Sequence, residues 1–311
     1  MIATIGLLLP AFVVIGASAW AGKRVLTPES IKALSALTFS LLMPALLFRS
    51  TLNFHFDPQY AKALAGYYLP SLALWAGITW YGIRVKKIDL AHAATSGVAA
   101  SFSNTVQLGI PLTALAFGQA GLSLLLALVA LHALTLITVA SVVVEMGIAR
   151  KTSQSVLASI AQTIKASIVH PVILPILAGL AGSYAGLTLP VWLDTALKYL
   201  ADAAGPLCLV LLGAQLSHIS FGKTFVPAAQ IACVKLLIHP IVVGASLWML
   251  GVRGLPWAVF TTIAALPVGT NAFLFAQRYE TDVDTVTAAI GLSTLLSLLT
   301  YTLVAALVKL V

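Results

Sequence analysis

The sequence predicts an all-α integral membrane protein of ten transmembrane helices, built as two inverted five-helix repeats with broken, crossing fourth and ninth helices. The chain of 311 residues is 60% hydrophobic and only 8% charged, and its mean hydropathy is +1.03. Apolar runs of about 20 residues, the length that crosses a hydrocarbon core, recur along the whole chain. Because these runs are apolar on every side, they favour helices and exclude a barrel of alternating polarity.

Ten apolar segments are bounded by charged residues, glycine or proline. They cover residues 2–20, 28–51, 62–83, 90–118, 122–147, 167–184, 190–216, 226–250, 256–277 and 283–310. The first Lys or Arg, Lys23, follows the first segment instead of preceding it. A cleaved signal peptide has a basic region before its apolar run, so we interpret the first segment as a helix that is retained.

The distribution of Lys and Arg predicts the orientation in the membrane. Of the 17 basic residues, eleven fall on one side of the ten segments, four on the other, and two inside segments. Cytoplasmic loops carry the excess of Lys and Arg, so we expect an inner-membrane protein with both termini in the periplasm. The net charge of +8 follows this topology and includes no long basic run, which argues against nucleic acid as a partner.

Proline and asparagine positions suggest a duplicated unit. Pro28 and Pro44 are 16 residues apart in the second segment, as are Pro190 and Pro206 in the seventh. An odd number of helices per unit would make the second copy enter the membrane from the opposite side, as in many secondary transporters. The predicted division is a first repeat at 1–149, a short cytoplasmic linker at 150–166 and an inverted repeat at 167–311.

The fourth and ninth segments carry polar and helix-breaking residues near their middles. The fourth contains S-F-S-N-T-V-Q-L-G-I-P-L, and the ninth contains A-L-P-V-G-T-N-A-F. We expect Gly109 with Pro111, and Pro267 with Gly269, to unwind the two helices. The predicted binding residues are Ser103, Asn104, Thr105, Gln107, Pro111, Pro267, Gly269, Thr270 and Asn271.

Unwound backbone at membrane depth is tolerated only inside protein or beside a wet cavity, so the two breaks should meet near the midplane. Half-helix N-termini would then direct free N–H groups and positive dipole ends at one spot. Neutral donors of this kind suit a small carboxylate, which could both bind and leave. The alternative is that the two prolines only kink continuous helices.

Three stretches resemble the auxin efflux carrier family, which includes plant auxin exporters and bacterial members assigned to malonate transport. They are the runs 101–118, 204–216 and 265–279, in this order, and the similarity extends over nearly the whole chain. The resemblance implies two inverted five-helix repeats, with the substrate anion held at the crossing by Asn104 and its neighbours and by Pro267 to Asn271. Ser103 departs from many plant members, which have proline there, and the long cytoplasmic loop of plant carriers is missing.

Ionisable residues inside the segments form a second group of candidates. Asp194, Lys198 and Asp202 recur every four residues in the seventh segment, and Lys235 lies in the eighth. Charged groups in a membrane usually face a partner or a water path. We expect Asp202 to be a buried proton site with Lys198 or Lys235 as its charge partner; the alternative is structural pairing of Lys198 with Asp202.

The expected function is secondary active transport of a small organic anion, such as malonate or a weak aromatic acid, by alternating access. A passive channel or a membrane sensor is the main alternative. An intramembrane enzyme is disfavoured because no H-E-x-x-H, G-x-S-x-G or C-x-x-C string occurs. No cofactor or metal is expected, and the residues leave open proton or sodium coupling and assembly as a homodimer.

The orientation can be tested with a single cysteine at position 153, in the predicted cytoplasmic linker, after Cys208 and Cys233 are replaced by Ala. We expect a membrane-impermeant maleimide to label this cysteine in inverted vesicles and not in intact cells. Labelling from the periplasmic side alone would reverse the orientation.

Overall fold

The computed structural model of the chain describes residues 2–52, 59–152, 172–218 and 224–308, which are predominantly helical. The α-helices of these ranges are α1 (Ile2–Val25), α2 (Pro28–Leu37), α3 (Met43–Leu52), α4 (Gln59–Arg84), α5 (Leu90–Ser101), α6 (Ile110–His132), α7 (Thr138–Thr152), α8 (Ile173–Tyr184), α9 (Val191–Leu216), α10 (Phe225–Cys233), α11 (His239–Met249), α12 (Gly254–Ala264), α13 (Asn271–Arg278) and α14 (Val283–Leu307). Turns of π-helix continue the backbone at Thr38–Leu42, Thr105–Gly109, Ala133–Ile137 and Val234–Ile238.

Helices long and apolar enough to cross a membrane run through the described part of the chain. Six such stretches are Gly6–Val25, Pro28–Leu52, Thr105–Gly147, Val191–Leu216, Phe225–Met249 and Val283–Leu307. Shorter apolar helices are Ile173–Tyr184 and Gly254–Ala264. The prediction of an all-helical, multi-pass membrane protein is therefore confirmed. The count of ten spans and the inverted repeat stay predictions.

The boundary expected between the fourth and fifth segments falls at Gly118. Its φ of 63° and ψ of −159° interrupt the helical backbone between Ile110 and His132. A positive φ is strained for residues with a Cβ, so glycine is suited to this bend. The long apolar stretch from Thr105 to Gly147 thus contains a sharp change of direction at the predicted place.

One contact unit comprises Met1–Pro58, Val106–Ala130 and Ile168–Ile219. Within it, α9 packs against α1 and α3, and α3 packs against α8. Glycines permit this close packing: a Cβ at Gly179 would be 2.1 Å from the hydroxyl of Thr51. The Arg49 guanidinium binds both carboxylate oxygens of Asp194, at 2.7 and 3.0 Å, and so ties α3 to the first turn of α9.

The other contact unit comprises Gln59–Thr105, Leu131–Ser167 and Ser220–Val311. Here α4 packs against α5, α11 against α4 and α12, and α10 against α14. Its hydrophobic core includes the buried side chains of Trp75, Val98, Phe102, Leu136 and Phe275. The small residues of α5 let α4 approach closely, since a Cβ at Gly97 would be 2.8 Å from the Trp75 ring.

Each unit draws helices from both halves of the sequence, so the units differ from the predicted division at residues 149 and 167. Inverted repeats whose equivalent helices intermix could produce such interleaving. Most of the predicted 150–166 linker lies outside the described residues. The repeat boundaries therefore stay predictions.

Replacing Gly213 by Ala tests the close packing of α1 against α9. The added Cβ would be 2.3 Å from the carbonyl oxygen of Ile15. Overpacking of this kind costs about 1–3 kcal/mol, more than the helix-propensity gain of about 1 kcal/mol. We expect a lower melting temperature in detergent for Gly213→Ala. The matched control is Gly16→Ala in α1, where nothing lies within 4 Å of the new Cβ; equal melting temperatures of the two variants would contradict the packing argument.

Candidate functional site

Two interruptions of helical backbone meet in the second contact unit. The first, residues 102–104, follows α5, and the second, residues 265–270, lies between α12 and α13. Ser103 and Val268 form an antiparallel bridge. The Asn104 N–H donates to the Pro267 carbonyl oxygen at 2.9 Å, and the Gly269 N–H donates to that of Phe102 at 2.8 Å. We call these two stretches the paired interruptions; the crossing of the fourth and ninth helices near the midplane stays a prediction.

Pro267 and Gly269 have distinct roles in this pairing. Pro267 has no N–H, yet its carbonyl oxygen accepts the bond from Asn104. Gly269 is required for close approach, because a Cβ there would be 2.6 Å from the Phe102 ring and 2.8 Å from the Ser103 carbonyl oxygen. The backbone of the ninth segment therefore breaks where the sequence predicted.

The break in the fourth segment lies before the predicted residues. Gly109 ends the π-helical turn Thr105–Gly109, and Pro111 lies in α6, so the expectation that these two unwind the helix is wrong. The break falls at 102–104 because the backbone there bonds to the ninth segment instead of continuing α5. Phe102, with φ of −90° and ψ of 116°, is extended.

Side chains from three other helices complete the hydrogen bonding of the paired interruptions. The Ser103 N–H donates to Nε2 of His132 at 3.3 Å, and the Ser103 hydroxyl lies 3.0 Å from that of Tyr67. The Val268 N–H donates to the Ser293 hydroxyl oxygen at 3.0 Å. Sequence reasoning did not assign these supporting roles; the only available signal was a polar side chain inside an apolar segment.

Two backbone N–H groups at the start of α13 take no part in this hydrogen bonding. Among the described residues, no acceptor takes the N–H of Thr270 or of Asn271. Both residues are half-buried, and they begin the helix that follows the interruption. A helix N-terminus presents free N–H groups and a positive dipole end, which together suit an anion.

The predicted binding residues divide between the two units. Ser103, Asn104, Thr105, Pro267, Gly269, Thr270 and Asn271 belong to the second unit, and Gln107 and Pro111 belong to the first. Asn104 is buried, with 3% of its surface exposed, and it makes hydrogen-bond or electrostatic contacts. The pairing brings the backbones of 103–104 and 267–269 together.

The candidate coupling residues differ sharply in environment. The prediction that Asp202 is a buried group is wrong: its side chain is 60% exposed and accepts a bond of 2.6 Å from Lys198 one helical turn away. Lys198 and Asp202 thus form an i, i+4 ion pair on the surface of α9. Lys235, in contrast, is fully buried and donates to the carbonyl oxygens of Ala264 and Leu266, each at 2.6 Å.

The fold defines a multi-pass helical membrane protein, and interrupted helices that pair in this way are typical of secondary transporters. The sequence matches the family model described as Membrane transport protein over residues 3–305. The chain therefore belongs to this family, the auxin efflux carrier family.

Two relatives extend over most of the chain. One, from Rhizobium meliloti (strain 1021), is named "Putative malonate transporter" and is 27% identical over 304 residues, covering 96% of this chain and 93% of its own length. The other, from Methanothermobacter thermautotrophicus (strain Delta H), is named "Uncharacterized transporter" and is 26% identical over 290 residues, covering 88% of each chain.

Replacing Ser293 by Ala tests the support of the paired interruptions. The change leaves the buried Val268 N–H without its acceptor, at a cost of about 1–3 kcal/mol. We expect a lower melting temperature than for Ser297→Ala. Ser297 is equally buried on the same helix, but its hydroxyl only donates to the Thr294 carbonyl oxygen. Equal melting temperatures would show that the Ser293 hydroxyl does not hold the interruption in place.

Proposed function

We propose that the protein is a secondary active carrier of a small organic anion, which binds at the paired interruptions during alternating access. Membership of a membrane transport family supports the transporter class. The single observation that supports the site is the pair of unused N–H groups of Thr270 and Asn271 at the start of α13. A relative named for malonate makes a short carboxylate the first substrate to test.

The chemistry of the site favours binding that remains reversible. Backbone N–H groups, the Asn271 amide and the Thr270 hydroxyl are neutral donors, and each charge-assisted bond to a carboxylate contributes roughly 1.5–3 kcal/mol. Several such bonds would satisfy a carboxylate without a permanent ion pair in direct contact. Asn104, whose backbone is fixed by Pro267, contributes its amide from the other interruption.

Transporter names of the relatives agree with a function other than catalysis. We further propose that the chain forms inverted five-helix repeats in the inner membrane, with both termini in the periplasm. Inverted repeats would support alternating access, because they can exchange inward-facing and outward-facing arrangements around a fixed site.

Replacing Asn271 by Ala tests the anion site directly. The change removes one donor from a half-buried position, so we expect the protein to fold and its affinity for malonate to fall about 10- to 150-fold, equivalent to 1.5–3 kcal/mol. Asn271→Asp should bind more weakly still, because it adds like-charge repulsion. Binding is measured by calorimetry on purified protein, and transport by counterflow in proteoliposomes.

The matched control for Asn271→Ala is Gln277→Ala, which removes an exposed amide from the same helix α13. We expect wild-type affinity in this control. Asn104→Ala should also lose affinity, and its melting temperature must be recorded because the Asn104 side chain is buried. Wild-type affinity in stable Asn104→Ala and Asn271→Ala proteins would exclude the site at the paired interruptions.

A further inference from the structure

Lys235 is joined to the piece of backbone that carries one of the paired interruptions. It lies in the π-helical turn between α10 and α11, and none of its surface is exposed. Its amine donates to the carbonyl oxygens of Ala264, the last residue of α12, and of Leu266. The next residue, Pro267, accepts the hydrogen bond from Asn104. The Lys235 amine therefore binds the residue that immediately precedes Pro267, where the backbone pairing begins.

The titratable groups that interact electrostatically with Lys235 are His132 of α6 and His239, the residue one helical turn later, and neither is acidic. His239 on its own helix bonds through Nε2 to the Ser71 hydroxyl of α4 at 2.8 Å, and His132 of α6 accepts from Ser103. The centre of the Tyr67 ring lies 5.7 Å from that of His239 and 5.8 Å from that of His132. The remaining buried polar side chains on α12 and α14 are Thr261, Thr262, Thr285, Ser293, Thr294 and Ser297. Within the described ranges, no Asp or Glu side chain is buried.

A permanently charged ammonium in this place would lack a full countercharge. Burying an unpaired charge costs several kcal/mol, and the carbonyl dipoles at the end of α12 offset only part of that cost. A neutral amine has two N–H groups, which matches the two carbonyl oxygens that Lys235 contacts. The empty carrier is thus best satisfied with a neutral Lys235.

An anion at the start of α13 changes this balance because it brings negative charge into the same unit. We propose that Lys235 is the proton-binding group of the carrier, taking up one proton when the anion binds and releasing it when the anion leaves. The proton comes from water on the side from which the anion enters and adds to the amine lone pair, forming the ammonium. This inference rests on the proposed function, since it requires an anion at the paired interruptions.

The other candidate proton sites are less suited to this role. Nε2 of His132 accepts a hydrogen bond from a backbone N–H, so protonation of that nitrogen would break a bond that holds Ser103. The Ser71 hydroxyl donates to the Tyr67 carbonyl oxygen, so it accepts from the Nε2–H of neutral His239. An added proton would therefore lie on Nδ1, which is buried and has no hydrogen-bond acceptor among the described residues. The exposed Asp202 already pairs with Lys198 on its own helix.

Calorimetry with malonate on the full-length protein tests the proposal. The titrations are done in two buffers of different ionisation enthalpy, in the pH range in which malonate is fully the dianion. We expect wild-type protein to take up about one proton per malonate bound. Since the protonated form binds better, affinity should fall as pH rises, approaching about tenfold per pH unit where Lys235 is neutral in the empty carrier.

Variants at Lys235 separate a proton site from a fixed charge. Lys235→Gln keeps an amide donor for the two carbonyl oxygens, and Lys235→Arg keeps a permanent charge. We expect both to bind malonate without proton uptake and with little dependence on pH. Lys86→Met is the matched control, because Lys86 is an exposed lysine of the same unit, and it should behave as wild type.

Three outcomes would overturn the role of Lys235. Malonate binding by wild-type protein without proton uptake would show that Lys235 keeps one protonation state when the anion binds. Proton uptake that persists in both Lys235 variants, or that is lost in Asp202→Asn instead, would place the proton elsewhere. Absence of binding across a panel of short carboxylates would overturn the proposed function itself, and this result differs from binding without a proton.

Discussion

The structure of the second contact unit depends on one requirement, which is that backbone groups freed inside apolar segments must find partners without water. An unsatisfied N–H or C=O in lipid costs several kcal/mol. The two interruptions solve this jointly, because Asn104 donates to Pro267 and Gly269 donates to Phe102. Neither interruption could make these backbone hydrogen bonds without the other. Each segment is therefore interrupted where the other segment supplies hydrogen-bond partners.

The remaining polar side chains of this unit can be understood from the same requirement. Ser293 accepts the N–H of Val268, His132 accepts that of Ser103, and Lys235 donates to the carbonyl oxygens at the end of α12. The C-terminal end of α12, which carries partial negative charge, is thereby hydrogen-bonded to a side chain of the protein. At the N-terminus of α13, which carries partial positive charge, the N–H groups of Thr270 and Asn271 have no acceptor in the described part of the chain. This arrangement supports the proposed anion site at the start of α13.

Sequence patterns predicted the membrane class, the helical segments and the break at Pro267 because composition and proline chemistry act locally. They placed the fourth-segment break too late, since Gly109 and Pro111 are helix breakers by propensity whereas the break at 102–104 depends on bonds to a distant segment. Asp202 was misjudged for a similar reason. Position within an apolar segment does not reveal which side of the helix is covered by protein. The supporting role of Ser293 depends on tertiary contacts that spacing does not encode.

Reversibility explains why a removable charge suits this arrangement better than a fixed one. At an effective dielectric constant of about 20, two unit charges attract by roughly 4 kcal/mol at about 4 Å and by proportionally less at larger separations. A permanent ammonium would attract the anion during release as strongly as during capture. A lysine that gains its proton with the anion and loses it afterwards strengthens binding only while the site is loaded. The empty carrier then returns without an uncompensated buried charge, so the same side chain that completes the end of α12 would also lower the cost of reorienting the empty protein.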